Sequence, residues 1–382
     1  MYIKNKKKFK LVKFILLKVS WLFQFISRFR KAEKRILLVK IDAIGDYVLF
    51  RNFLEVLKTS EKYRTYEIEL LGNKGWRDLA IEYDGQTVSK FHFINEDPLY
   101  EKPREVFKLG WMLFKRRYEV VLQSTYSRSL MGNGLAALAA GRESVAYDSD
   151  NEHDAIYKPQ TDKLYTRLID LPKEITHEFE RNRYFFHQII ETRELLIKGP
   201  ELTVERHQSG NILIFAGSSY YKRNWEKEKF LEIIKRLLEE TTSDIVLAGG
   251  PGEVPVASYL IGSLPPSIRL KDHTGSTSLP QLVQLIADSR LVISNETSAV
   301  HIAAACKTPV ICITGGGHFN RFAPYPENIT SKPSCAFSPM PCYYCNWQCK
   351  YYNDFNEPFP CLSRISVDRV WEEVKILIKS NP

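Results

Sequence analysis

From residue 35 onward, short apolar runs alternate with segments of helical spacing. Residues 35–41 (RILLVKI), 67–73 (EIELLGN), 90–95 (KFHFIN), 119–124 (EVVLQS) and 144–148 (SVAYD) read as strands. Helical segments near 74–83, 101–117 and 128–140 fall between them, and the amphipathic stretch 177–191 closes the series. After a polar hinge at 201–210 the pattern restarts with the strand 211–217 (NILIFAG) and a helix at 226–240. A strand and loop at 244–253 (DIVLAGGPGE) and a loop and helix at 273–289 follow. Residues 291–317 then read strand, tight turn, helix, strand, glycine loop. Two successive strand–helix series predict two doubly wound parallel sheets.

Residues 1–34 break this pattern. Leu11, Val12, Ile15, Leu16, Val19, Leu22, Phe23 and Ile26 form a broad apolar face, and Lys13, Ser20, Gln24, Ser27 and Lys31 a narrow polar stripe. Lys18 interrupts any apolar run of about 18 residues, which argues against a transmembrane span. No small-residue cleavage site follows, as a signal peptide would need. The pattern predicts a helix lying in a membrane interface, with its cations on anionic headgroups. The alternative is a basic helix packed on the protein itself or on a partner.

Charge sharpens that contrast. The formal net charge is +9, yet residues 1–35 hold twelve Lys or Arg against one acid, Glu33, while the other 347 residues carry 42 basic and 44 acidic side chains. The basicity belongs to the arm. A nucleic-acid-binding body would carry its own basic face, so no nucleic acid partner is expected. Seven cysteines at irregular spacing do not form a secreted disulfide framework in a chain this long.

Candidate chemistry falls at strand ends. Glu296, Thr297 and Ser298 sit where a strand gives way to a helix, a place suited to anions and sugar hydroxyls, with His301 one turn further on. The plainer reading there is an N-cap at Asn295 or Thr297 with a buried structural His301. Past the 211–217 strand come the hydroxyls of Ser218 and Ser219, the cations Lys222 and Arg223, then Trp225. Glu253 ends a loop whose glycines allow close approach to a ligand. In the first series, the turn Asp42-Ala43-Ile44-Gly45-Asp46 places two carboxylates after the first strand, where Asp46 is a base or a helix cap. Arg321 and His318 follow the glycines at 315–317 and are expected to help close the pocket.

These motifs resemble glycosyltransferase family 9, the lipopolysaccharide heptosyltransferases. Its donor signature Asp-Thr-Gly-x-x-His is matched by Glu296, Thr297, Ser298, Ala299, Val300 and His301, with Glu for Asp and Ser for Gly. The Gly45-Asp46 turn matches the family's catalytic base, and Arg223 ahead of Trp225 matches its lysine. The resemblance implies an α/β chain of GT-B fold, two Rossmann-like domains facing across a cleft. It implies an inverting glycosyltransferase that moves a sugar, a heptose in the family, from an ADP-linked donor to a lipopolysaccharide or other membrane-linked glycan. Asp46 would be the catalytic base. Ser218, Ser219, Lys222, Arg223, Glu253, Glu296, Thr297, Ser298 and His301 would bind donor, and Asp42 and Arg321 acceptor. No Asp-x-Asp motif is present, and metal-independent catalysis is expected. The expected location is cytoplasmic, peripheral on the inner face of the cytoplasmic membrane.

The expected domains are an arm (1–34), an acceptor domain (35–200), a donor domain (211–334) and a Cys-rich segment with a final helix (335–382). In the last, Cys342, Cys345 and Cys349 are spaced C-x2-C-x3-C, with Cys361 beyond. They are candidates for a structural zinc; reduced thiols packed among Tyr and Trp are the alternative. Two rival functions stand beside transfer. A dinucleotide-dependent oxidoreductase lacks its G-x-G-x-x-G after the first strand. A catalytically inactive nucleotide-sugar-binding module at the membrane would bind nucleotide and turn nothing over.

Overall fold

Ile36, Leu37, Leu38 and Val39 are almost wholly buried, as a strand covered on both faces requires. They lie in β1 (Glu33–Lys40), the centre of a parallel sheet in a computed structural model. The structure describes residues 3–149, 155–191, 197–351 and 357–380. Residues 1–2 of the expected arm, and 352–356 and 381–382 of the expected Cys-rich segment, lie outside the described residues.

The chain divides into two compact units, 1–175 with 179–197, and 176–178 with 198–382. The first is built on β1, β2 (Glu67–Asn73), β3 (Lys90–Ile94), β4 (Tyr118–Gln123), β5 (Glu143–Tyr147) and β6 (Arg167–Ile169), in the order β3-β2-β1-β4-β5-β6. The second is built on β7 (Ile212–Phe215), β8 (Ile245–Leu247), β9 (Leu270–Asp272), β10 (Leu291–Asn295), β11 (Val310–Ile313) and β12 (Ser334–Ala336). Its order is β12-β11-β10-β7-β8-β9. Read from its own first strand this is the same topology, and every pairing in both sheets is parallel. Each sheet reverses its winding direction once, between β1 and β4 and between β7 and β10.

The arm is a helix in three parts: α-helical at Lys6–Phe14, π-helical at Ile15–Val19, and α-helical again at Ser20–Ser27. Its inner face belongs to the core of the first unit. Val12, Ile15, Leu16 and Phe23 are buried with Leu135, Leu138 and Phe114 of the Leu130–Ala139 and Pro103–Lys115 helices. Phe23 stacks on Phe114 with ring centroids 4.3 Å apart.

Lys13, Ser20, Gln24 and Ser27 of the predicted polar stripe are buried or half-buried against the protein, and Lys31, beyond the helix, is exposed. Ser20 is fully buried and donates to the Leu16 carbonyl at 2.6 Å. Gln24 donates to the Leu164 carbonyl at 2.6 Å, and the Lys13 ammonium lies 5.6 Å from the Tyr157 ring centroid. Leu11, Leu22 and Ile26 are instead exposed, with Phe14, Trp21, Phe25 and Phe29. The apolar residues cover a wider arc of the helix than the first unit buries, so Leu11, Leu22 and Ile26 stay outside. Among the described residues no helix is long and apolar enough to cross a membrane.

Candidate functional site

Loops that leave adjacent strands toward opposite faces of a parallel sheet open a crevice at their carboxyl ends. In the second unit those loops follow β7 and β10. Asn295, fully buried, ties them together: its side chain accepts the Trp225 N–H at 2.8 Å and donates to the Ala216 carbonyl at 2.9 Å. The next residue, Glu296, accepts a hydrogen bond from the Thr314 hydroxyl at the end of β11. Burial pushes the Glu296 carboxyl up to about 7, against the opposing pull of Thr314 and of the nearby Arg223 charge. Arg223 in turn donates to the Ser219 hydroxyl at 3.1 Å. Ser219, Arg223, Glu296 and Thr314 therefore form one cluster.

Thr297 caps the Ser298–Ala305 helix, accepting from the Ala299 N–H at 3.3 Å and pairing with the Ser294 hydroxyl at 3.1 Å. Its side chain is thus the helix cap, the plainer of the two readings, and the helix N-terminus beside Glu296 favours negative charge. Ser298 is the half-buried first residue of that helix. Ser218 folds onto its own loop and donates to the Tyr220 carbonyl at 2.9 Å.

The two glycine loops differ in what they admit. Glu253 accepts from the Gly250 N–H at 2.7 Å, and burial raises its pKa. A Cβ on Gly249, whose φ is +156°, would lie 1.8 Å from the Glu253 carboxylate. The first loop's glycines thus make room for Glu253. The second loop, at 315–317, carries part of the Cys-rich segment on it. A Cβ on Gly316 would lie 2.1 Å from the Tyr343 ring, and one on Gly317 2.2 Å from the Trp347 ring. Backbone hydrogen bonds from Tyr344 to the Gly316 carbonyl (2.7 Å) and from Asn346 to the Gly317 carbonyl (3.0 Å) fix the contact. Trp347 also places its ring centroid 5.5 Å from the Arg223 guanidinium.

Three expected donor or acceptor residues have partners within the protein. His301 is buried against Tyr325, its Nδ1 2.7 Å from the phenol oxygen, and burial lowers its pKa to about 4. This is the plainer reading of that histidine. Lys222 is buried, its ammonium about 6 Å from the Tyr220 and Tyr221 ring centroids. Arg321 pairs with the buried Glu178 at 3.3 Å, and its carbonyl accepts the Glu178 N–H at 2.8 Å. The 315–321 sequence gave no sign that Arg321 would meet a residue so distant in the chain.

In the first unit, the loops at the reversal follow β1 and β4. Asp42 accepts from the Thr125 hydroxyl at 2.6 Å and pairs with the Lys40 ammonium at 2.9 Å. Lys40 is 1% exposed, so Asp42 neutralises a buried cation. Glu96 adds a second carboxyl whose pKa is raised, first by burial and then by the Asp42 charge, against hydrogen bonds from Ser129 and Tyr100. Asp46 lies in the first turn of the short Ile44–Val48 helix and is half-buried. The N-cap of that helix is Ala43, which supplies no side-chain bond.

The family model of glycosyltransferase family 9 (heptosyltransferase) matches residues 106–351. The chain belongs to glycosyltransferase family 9. Lipopolysaccharide heptosyltransferase 3 of Escherichia coli K12 is 31% identical over 120 residues, 31% of this chain and 34% of that one. The matched stretches span a quarter to a half of the length of the curated relatives. Among solved structures, the E. coli ADP-heptose lipopolysaccharide heptosyltransferase II superposes with a TM-score of 0.68 at 17% identity, covering 91% of this chain and 99% of that one. An E. coli heptosyltransferase with ADP-2-deoxy-2-fluoro heptose gives 0.64 at 18% identity, covering 91% and 100%. The fold of this family 9 chain is therefore GT-B.

The thiols proposed for zinc in this family 9 chain are neighbours without converging. Cys342, Cys345 and Cys349 lie near enough to raise the Cys361 pKa, which burial first pushes up to about 11. Yet among the described residues no three Cys, His, Asp or Glu side chains gather as a metal site requires. Cys361 instead lies under the glycine loop and accepts the Gly316 N–H at 3.4 Å. The residues present do not fit a zinc centre. The sequence also passed over Thr314, Lys40, Thr125 and Trp347. The charge of Lys40 inside an apolar run was the one available signal.

Proposed function

We propose that this chain transfers a heptose from an ADP-linked donor to a lipid-linked glycan, with inversion, at the inner face of the cytoplasmic membrane. The observation that carries this reading is the Ser219–Arg223–Glu296–Thr314 cluster beside the N-terminus of the Ser298–Ala305 helix. A diphosphate suits such a cluster: Arg223 and the helix N-terminus supply positive charge, and Glu296 supplies an oxygen for sugar hydroxyls. The related E. coli ADP-heptose lipopolysaccharide heptosyltransferase II and the E. coli heptosyltransferase with ADP-2-deoxy-2-fluoro heptose support that donor class.

In this reading Asp46 removes the acceptor hydroxyl proton as that oxygen attacks the anomeric carbon. The C–O bond to the diphosphate breaks, and Arg223, Ser219 and the helix N-terminus stabilise the charge it carries away. No divalent cation is then required, and chelation leaves the rate unchanged. The exposed apolar and basic face of the arm holds the enzyme where its acceptor is embedded.

A panel of ADP-, UDP-, GDP- and CDP-sugars, read by nucleotide release and product mass, tests the proposal. The expected result is turnover of ADP-heptose with a suitable lipid-linked acceptor. Tight nucleotide binding with no transfer from any donor would instead mark an inactive binding module.

A further inference from the structure

The outer surface of the Pro103–Lys115 helix continues the exposed face of the arm. Arg104, Phe107, Lys108, Trp111 and Lys115 recur at spacings of three and four, so they share one stripe. All five are exposed, and Phe107 and Trp111 each show 45% of their surface. The buried residues of the same helix, Val106, Gly110, Leu113 and Phe114, lie on the other side.

This stripe meets the arm along a seam. Phe23 of the arm lies 6.4 Å from Phe107 and 5.8 Å from Trp111, centroid to centroid. Gln24 and Lys13 mark the arm's other flank, against Leu164 and Tyr157. The seam therefore runs on the flank of Leu22 and Ile26, which are themselves exposed. Trp21, Phe25 and Phe29 extend the apolar surface further, with exposures of 63, 46 and 78%.

We propose that the Pro103–Lys115 helix and the arm form one composite face that seats on an anionic lipid bilayer, with Phe107 and Trp111 entering the headgroup–acyl boundary. This deepens the membrane reading of the arm and rests on it. Charge selects the occupant. No acid occurs among residues 1–32, while Lys18, Arg28, Arg104, Lys108 and Lys115 are exposed on or beside the aromatics. A second copy of the same face would bring these cations together, whereas phosphate headgroups neutralise them. Trp is suited to this boundary because its ring is apolar and its N–H is polar.

Vesicle sedimentation of the full chain tests the proposal, with phosphatidylglycerol-containing and pure phosphatidylcholine vesicles. Two variants are used: Phe107→Ser with Trp111→Ser, and the surface charge reversal Arg104→Glu with Lys108→Glu, which touches no core contact. Both are expected to bind the anionic vesicles about tenfold or more weakly with the arm intact. Neither is expected to change nucleotide release from donor with a soluble acceptor, so failure of the transfer reading would show separately. Parent-like binding by the charge-reversal variant would overturn the proposal. So would a parent that binds no anionic vesicle but forms a dimer that these substitutions dissociate.

Discussion

Leu16 lies directly against Gly134: a Cβ built on that glycine would stand 2.5 Å from the Leu16 side chain. The arm is thereby keyed into the first unit. Removing residues 1–32 is expected to lower the melting temperature sharply, because Val12, Leu16 and Phe23 leave the core. Leu16→Ala alone is expected to cost about 2–5 kcal/mol in a denaturant titration. An arm-less chain that melts like the parent would show the arm merely lying on the surface.

Asp46→Asn and Asp42→Asn should separate chemistry from stability. Asp46→Asn keeps size and loses the ability to take a proton, so turnover is expected to fall by roughly 10² to 10⁴ with little change in melting. Asp42→Asn removes the carboxylate charge that pairs with the buried Lys40 at 2.9 Å. It is expected to destabilise by up to about 3–5 kcal/mol. Equal melting temperatures with equal losses of turnover would assign both carboxylates one role.

Arg223 and Lys222, adjacent in sequence, are expected to part company. Arg223→Ala removes the cation nearest Glu296 and Ser219 and should weaken donor binding about tenfold. Lys222→Ala empties a buried site and should act first on stability. Calorimetric titration with nucleotide beside thermal melting distinguishes the two; identical affinity losses would return Lys222 to the donor site.

The Glu296 carboxyl predicts a pH dependence of a definite sign. Its pKa is raised from 4.5 to about 7, so between those values the folded chain holds a proton that the unfolded chain has released. This contribution is complete below about 4.5 and lost as pH rises through about 7. Relative to Glu296→Gln, the nucleotide-free parent should lose at most about 3 kcal/mol across that window, less as water reaches the open side of the carboxyl. Melting curves of the two proteins that stay parallel from pH 4.5 to 8 would refute the shift.

Long, strongly apolar strands such as β1 and β2 were legible because burial on both faces demands continuous apolar runs. The edge strands β6, β9 and β12 were not: each has three residues, too few for a periodic signal. The candidates at the ends of β7 and β10 were singled out by hydroxyl and charge chemistry together with the family resemblance. The surroundings of Lys222, His301 and Arg321 were not legible, because burial, an aromatic partner and a distant glutamate set them. Pattern along a chain reports spacing, not the tertiary contact that claims a side chain. The same applies to the arm, where Ser20 and Gln24 look like a wet stripe until Leu16 and Leu164 supply their carbonyl partners.

Trp225, two residues beyond Arg223, donates its indole N–H to the Ile365 carbonyl at 2.9 Å, and Trp371 and Val374 complete the core beneath. On a ribosome these partners emerge on the order of ten seconds after Trp225 itself. Until then the loop bearing Arg223 has only its Asn295 tether, and the glycines at 316 and 317 lack Tyr343 and Trp347 above them for most of that interval. A nascent chain can therefore organise its first sheet early while remaining unable to capture nucleotide. The nucleotide binding proposed above therefore waits on the helix at 367–380, and a chain that stops short of it is expected to be inert toward nucleotide.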